Sequence, residues 1–375
     1  MNILFLDSID KNTYGGMEEW IRLTALGLAD RGHNITIAGR PESEFQRRIK
    51  ASVDNVNFLD LEISGDFHPG TIAKLKKYIS QNSVDIITVN FNKDIRLGGL
   101  AARLDGTARV VWSVGLDITK DSLIHKVLTP RLIDAVIVPS ESLKKQITRL
   151  GYINPDICNI IPIGIADTEC KVSSEYKKIL RSKYGLPDNA IVAVSSGRFV
   201  DQKGHVFLVE AAPAILEEYP NMYFLWLGSG PLENTLKDEI KKRNLSKHFL
   251  FAGMLDNVEP ELAGADLMIH PSVQEPYGIA VLEGMRAGLA IAASRVGGIP
   301  EVVRDRETAI LFEPRNPDDL ANKVISLLDN PDALGLLGTT GRLRWRKHFD
   351  LGTMIDRVDD CFESVLKSER NHAGS

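Results

Sequence analysis

The chain has 375 residues, 43% of them hydrophobic and 25% charged, with a formal net charge of −5. That length exceeds one ordinary core and implies two domains, and the composition is that of a soluble globular protein. The acidic balance, with no run of Lys and Arg interleaved with aromatics, argues against nucleic acid as a partner. The three scattered cysteines, Cys158, Cys170 and Cys361, show neither a disulfide framework nor metal-ligand spacing, as in a reduced cytoplasmic protein.

In chain order, the opening MNILFLD has no basic leader and reads as a first strand, not a signal peptide. Strands are expected at Ile3–Leu6, Ile35–Ala38, Val56–Leu59, Ile86–Val89, Val110–Ser113 and Ala135–Val138. Helical patterns fall between several of them, at Met17–Asp30, Thr71–Ser80 and Ser140–Arg149. Gly15-Gly16, between the first strand and its helix, lets backbone approach a ligand closely, although turn geometry explains most such pairs. His33, in Arg31-Gly32-His33, reads as part of a turn and not as a base. An interdomain linker is expected around residues 163–188, covering the helical stretch Ser173–Tyr184.

The alternation restarts at Ile191–Ser196 and continues at Tyr223–Leu227, Leu250–Ala252, Leu267–Ile269 and Leu289–Ala293. The fold class is therefore α/β, with two Rossmann-like, doubly wound domains in series, which places the crevices at the carboxyl ends of their strands face to face. The first domain spans 1–165 with an amphipathic helix at 352–368, and the second spans 189–351. The final residues, SERNHAGS, read as a frayed tail. No apolar stretch is long enough to span a bilayer, so if the protein works at a membrane it lies on it.

Chemistry concentrates in the second half. Arg198 and Lys203 follow the strand Ile191–Ser196 directly. Such a pair suits a leaving pyrophosphate: Arg198 offers a planar fork and Lys203 a point charge. Gly228-Ser229-Gly230-Pro231 closes the next strand, either as a ligand-lining helix entry or as a structural turn. Glu275 and Glu283 then bracket seven residues, among them Tyr277, Gly278, Ile279 and Ala280. A helix opening near Gly278 offers unpaired N–H groups to an anion. Glu275 lies just before that end and Glu283 more than one turn inside, so one carboxylate reaches a ligand's head and the other its tail. A phosphate-bearing ligand with hydroxyls at both ends fits, which describes a nucleotide sugar. No G-x-G-x-x-G follows a strand, which disfavours a nicotinamide enzyme. No Asp-x-Asp is present to hold a diphosphate through a cation.

Together with Pro271-Ser272, Tyr277-Gly278, Gly288 and Gly297-Gly298-Ile299-Pro300-Glu301, this order resembles glycosyltransferase family 4, whose retaining enzymes carry an E-x₇-E pair of this form. The resemblance implies the GT-B architecture, with the final helix crossing back to the first domain. It implies that Arg198 and Lys203 clamp the donor diphosphate without metal or cofactor, and that Gly15, Gly16, Gly228 and Gly230 line the donor cleft. Glu283 then binds the ribose, and Glu275 meets hydroxyls of the transferred sugar beside Tyr277, Gly278, Ile279 and Ala280. The implied donor is a UDP or GDP hexose and the acceptor a cell-surface glycan, lipid-linked or other. Three departures stand out: Pro276 replaces a small glycine, Ala290 replaces a proline, and no histidine follows Val110–Ser113. Asp94 or Asp117 is the candidate acceptor-side replacement, although either residue type also caps helices. Two rival readings remain, a sugar-nucleotide epimerase or hydrolase on the same fold and a non-catalytic nucleotide-sugar binding protein. Lys120, Lys126, Arg131, Lys144, Lys145 and Arg149, set among Leu123, Ile124, Val127 and Leu128, suggest peripheral contact at the inner membrane face.

Overall fold

A computed structural model of the protein describes residues 1–9, 16–51, 56–115 and 123–369. The chain divides into two compact units, Met1–Gly164 with Leu351–Ser375, and Ile165–Asp350.

The first unit is built on a sheet of seven strands: β1 (Asn2–Asp7), β2 (Asn34–Gly39), β3 (Asn57–Asp60), β4 (Ile86–Val89), β5 (Arg109–Ser113), β6 (Ala135–Val138) and β7 (Cys158–Ile160). Every pairing is parallel, in the order β3-β2-β1-β4-β5-β6-β7. Successive residues of β1 serve opposite faces: Leu4 and Leu6 enter one core, Ile3 and Phe5 the other. Burial on both faces explains why these strands read as unbroken apolar runs. The last helix, Leu351–Lys367, puts Met354, Val358, Cys361 and Val365 into the same core as Ile3 and Phe5, so the end of the chain packs on the first unit.

The second unit carries β8 (Ile191–Ser196), β9 (Met222–Leu227), β10 (Phe249–Gly253), β11 (Leu267–His270), β12 (Ala290–Ser294) and β13 (Ile310–Phe312). They form a parallel six-stranded sheet in the order β10-β9-β8-β11-β12-β13. In both sheets the first strand lies inside the order, and the direction in which strands are added reverses between β1 and β4 and between β8 and β11. A doubly wound sheet binds ligands outside the carboxyl ends of the strands at such a switch point.

The linker expected over 163–188 is corrected by the structure. Helix Ser174–Lys183, capped by Ser173 on Tyr176 N, belongs to the second unit. Lys177 and Arg181 each pair with Asp266 at 2.7 Å, and a Cβ on Gly264 would lie 2.6 Å from Leu180 Cβ. The helix is fixed to its own domain, and the division falls at Gly164.

Candidate functional site

The switch point of the second sheet gathers the charged motifs. The loop after β8 carries Arg198 and the 3₁₀ turn Asp201–Lys203, and the loop after β11 carries Glu275. Backbone bonds join the two loops: Val273 N and Gln274 N both donate to Gln202 O, at 2.8 and 3.2 Å. Gly204, at φ +62°, lets the first loop press on the second, since a Cβ there would meet Pro271 O at 2.1 Å. The glycine pair before helix Ile299–Val302 backs the Glu275 loop from the other side. Gly298 N donates to Glu275 O at 3.1 Å, and a Cβ on Gly297 would collide with that same oxygen at 1.8 Å.

Glu275 is thus clamped by backbone on two sides, and its carboxylate is bonded as well. Lys203 Nζ lies 2.5 Å from Oε2, His270 Nε2 3.1 Å and Ser272 Oγ 3.4 Å. Burial alone would raise this carboxyl, but His270 and Lys203 outweigh it and hold it down at about 2. Glu275 is ionised throughout the physiological range. Arg198 differs: it is exposed, and no described residue bonds to its guanidinium. Among the described residues, Lys203 is an engaged cation and Arg198 a free one.

Helix Ile279–Ala287 opens at Gly278, whose φ of +108° starts it without a side-chain cap. The first N–H groups, including those of Ile279 and Ala280, therefore lack intrahelical partners and suit an anion. One and a half turns on, Glu283 is half-buried, and burial pushes its carboxyl up to about 7 against the pull of Arg286 and with a push from Glu259. Arg286 is itself held by Glu259 at 2.9 Å and donates to Ala166 O at 2.9 Å. A carboxyl raised in the folded state binds its proton more tightly there. Its contribution to stability is therefore present below the unfolded value and is lost as pH rises to about 7. Glu283→Gln should remove that loss, leaving the variant on the order of 1–3 kcal/mol less sensitive to the change from pH 5 to pH 8. Urea denaturation at both pH values measures it, and equal sensitivity in the two proteins would contradict the burial of this carboxyl.

Several expected site residues have other jobs. Gly228 and Gly230 are structural: their Cβ atoms would lie 2.1 Å from Gly197 O and 2.6 Å from Phe199 N, and Gly228 N already donates to Gly253 O. They seat the Arg198 loop. The Tyr277 ring, 4% exposed, packs edge-on to Phe349 at 6.5 Å, so the backbone is what this residue can present to a ligand. Asp94 is corrected from an acceptor residue to a cap. It is fully buried, and its oxygens accept from Ser8 N (2.9 Å), Phe91 N (2.9 Å) and Asn90 N (3.3 Å), tying the ends of β1 and β4 together. Burial lifts its carboxyl to about 6. Gly16 is the first residue of helix Gly16–Asp30, while Gly15 and Asp117 lie outside the described residues. His33 meets the Met1 amine at 3.1 Å, which ties down its turn. Among the described residues, no three His, Cys, Asp or Glu side chains converge as metal ligands.

The sequence reading overlooks His270, and it names Ser272 only beside Pro271, without its bond to Glu275. Both are polar and sit at and just after the end of the apolar strand β11, three to five residues before Glu275, and that placement is the signal that was available.

Comparison with known proteins agrees with this fold. The family model described as Glycosyl transferases group 1 matches residues 177–344, and that described as Glycosyltransferase Family 4 matches residues 14–169. An uncharacterized glycosyltransferase of Methanocaldococcus jannaschii is 33% identical over 190 residues, which cover half of this chain and 48% of that protein. The UDP-Gal:alpha-D-GlcNAc-diphosphoundecaprenol alpha-1,3-galactosyltransferase of Escherichia coli is 28% identical over 79% of each chain. The crystal structure of Anabaena HepE in complex with UDP superposes with a TM-score of 0.83 at 20% identity, covering 97% of this chain and all of that one. The architecture is the two-domain α/β GT-B fold.

Proposed function

The chain belongs to the family 4 glycosyltransferases, and from that premise we propose that it moves a hexose-type sugar from UDP or GDP to a glycan or lipid-linked acceptor with retention of configuration. The observation that carries this reading is the pairing of Lys203 with Glu275 at the switch point of the second sheet, with Arg198 on the same loop as Lys203. Two cations there face the charge that grows on a departing diphosphate, more in the transition state than in the ground state. Glu283 accepts from the ribose hydroxyls, the amides after Gly278 receive a phosphate, and Glu275 orients the sugar. The first domain receives the acceptor. A UDP-hexose donor and a lipid-diphosphate acceptor are favoured because the Escherichia coli relative is named for both.

Incubation with UDP- and GDP-hexoses, with and without undecaprenyl-diphosphate glycans, tests this. Transfer should require the acceptor, with slow loss of donor alone. Complete conversion of donor without acceptor would favour an epimerase or hydrolase, and binding with no turnover in any pairing a non-catalytic binding protein.

The reaction needs no metal in this scheme, because Arg198, Lys203 and backbone N–H groups carry the charge. Transfer should therefore persist in excess chelator. Abolition by chelator with rescue by magnesium or manganese would overturn the clamp assignment.

An acceptor at a membrane face is supported by the helix Leu123–Leu132, where Leu123, Ile124 and Val127 are 75%, 49% and 43% exposed beside Lys126 and Arg131. No described helix is long and apolar enough to cross a membrane. An exposed apolar stripe flanked by cations suits an anionic surface. Co-sedimentation with anionic vesicles should be strong at low salt and weaker at moderate salt, and absence of binding at both would dismiss the contact.

A further inference from the structure

Three donors meet one oxygen of Glu275. Lys203 Nζ, His270 Nε2 and Ser272 Oγ all point at Oε2, at 2.5, 3.1 and 3.4 Å, while Oε1 takes none of these bonds. The donors are not equivalent. His270 is 2% exposed and Ser272 wholly buried, but the Lys203 side chain keeps 25% of its surface open. Ser272 is fixed further by the Ser294 hydroxyl, which donates to its carbonyl, and by its own bond to His270 Nε2 at 3.0 Å. Two partners are thus held by the sheet, and the third sits on a flexible four-carbon stem.

The mobile partner is also the residue assigned to the diphosphate. A single ammonium cannot give full contact both to a carboxylate and to a phosphate lying away from it, so donor binding must draw Lys203 at least partly off Glu275. The carboxylate then faces a buried site beside a new anion, conditions that favour taking up a proton.

On the reading that Lys203 clamps the donor diphosphate, we infer that His270 and Ser272 are positioning residues that keep Glu275 ionised and oriented once Lys203 turns to the donor. Oε2 stays anchored to the sheet and Oε1 stays open to sugar hydroxyls. The other titratable group nearby, His205, is buried at the start of helix His205–Glu218, and burial together with the His270 and Lys203 charges keeps its imidazole neutral, at about 3. It supplies no substitute cation.

Carboxyl NMR of protein labelled with ¹³Cδ-glutamate tests this, with the Glu275 signal assigned through Glu275→Gln and titrated from pH 4 to 8, free and with saturating UDP or GDP. The unmodified protein should show no Glu275 titration in that window in either state. His270→Ala should behave likewise when free, because Lys203 remains, but should show a midpoint inside the window once nucleotide is bound. His270→Gln, which restores an N–H donor, should move the midpoint back toward the unmodified behaviour, and Ser272→Ala should shift it upward by less. Nucleotide affinity should stay within about threefold in all three variants, which a general loss of structure would not allow. Two results overturn the inference: no nucleotide-dependent titration in both His270→Ala and Ser272→Ala, or titration in the unmodified complex. Failure of both UDP and GDP to bind the unmodified protein would instead overturn the donor reading and the inference with it.

Discussion

Lys203→Ala should lower sugar transfer by about 10²–10³ in kcat, the effect of deleting one preorganised group aimed at developing charge. The loss falls on turnover because negative charge on the diphosphate is greatest as the glycosidic bond breaks. The variant should also be less stable, since Glu275, 7% exposed, loses its shortest partner. Removing one member of a buried pair leaves an uncompensated charge, at a cost here of about 1–3 kcal/mol because Lys203 is partly solvated. Arg198→Ala provides the contrast. Arg198 is exposed and bonds to no described residue, so its removal should weaken donor binding and leave the melting temperature unchanged. Steady-state kinetics and calorimetry on the two variants separate the roles. Near-normal kcat with a lowered melting temperature in Lys203→Ala would make the lysine a structural counter-ion to Glu275 alone.

Glu275→Gln should impair transfer by about 10–10² while leaving measurable activity and a product with the donor's anomeric configuration. In a retaining enzyme a carboxylate beside the reacting carbon invites the role of nucleophile, through a covalent glycosyl-enzyme. The geometry favours another role. In the free protein Oε2 takes three protein donors and is held low by His270 and Lys203, and His270 and Ser272 keep their bonds when Lys203 turns to the donor, an arrangement that lowers basicity and fixes the group as an oriented anion. An oriented anion favours positive charge on the ring as the leaving group departs, and the amide keeps its shape without that charge. The substitution also frees Lys203 from its ion pair, so the affinity for nucleoside diphosphate should be unchanged or higher. A glycosylated Glu275 peptide trapped by mass spectrometry, or an inverted product from the unmodified enzyme, would contradict this mechanism.

Both doubly wound domains are legible in the sequence because buried parallel strands need unbroken apolar runs, and β1, β4, β8 and β11 announce themselves that way. Two of the four edge strands, β7 and β13, go unread because each is three residues long, and in β7 the central residue is Asn159. Helix Ser174–Lys183 is legible as a helix but not as part of the second domain. Its attachment depends on Asp266, about ninety residues away in the chain, and no local pattern encodes that contact. The same limit applies at the site. The spacing of Arg198, Lys203, Glu275 and Glu283 identifies candidates, yet the Lys203–Glu275 bond depends on β8 and β11 being neighbours, which only the strand order supplies. Asp94 is misread because an aspartate that caps three N–H groups looks, in sequence, like a ligand-binding residue.

Calorimetric titration of UDP and of GDP onto the unmodified protein, Arg198→Ala and Glu283→Ala tests the donor site most directly, because it needs neither the sugar nor the acceptor to be known. One of the two nucleotides should bind at a single site, and each substitution should weaken that binding by about tenfold or more. Absence of saturable binding by both nucleotides, or an affinity indifferent to both substitutions, would contradict a donor site at the carboxyl ends of β8 and β11.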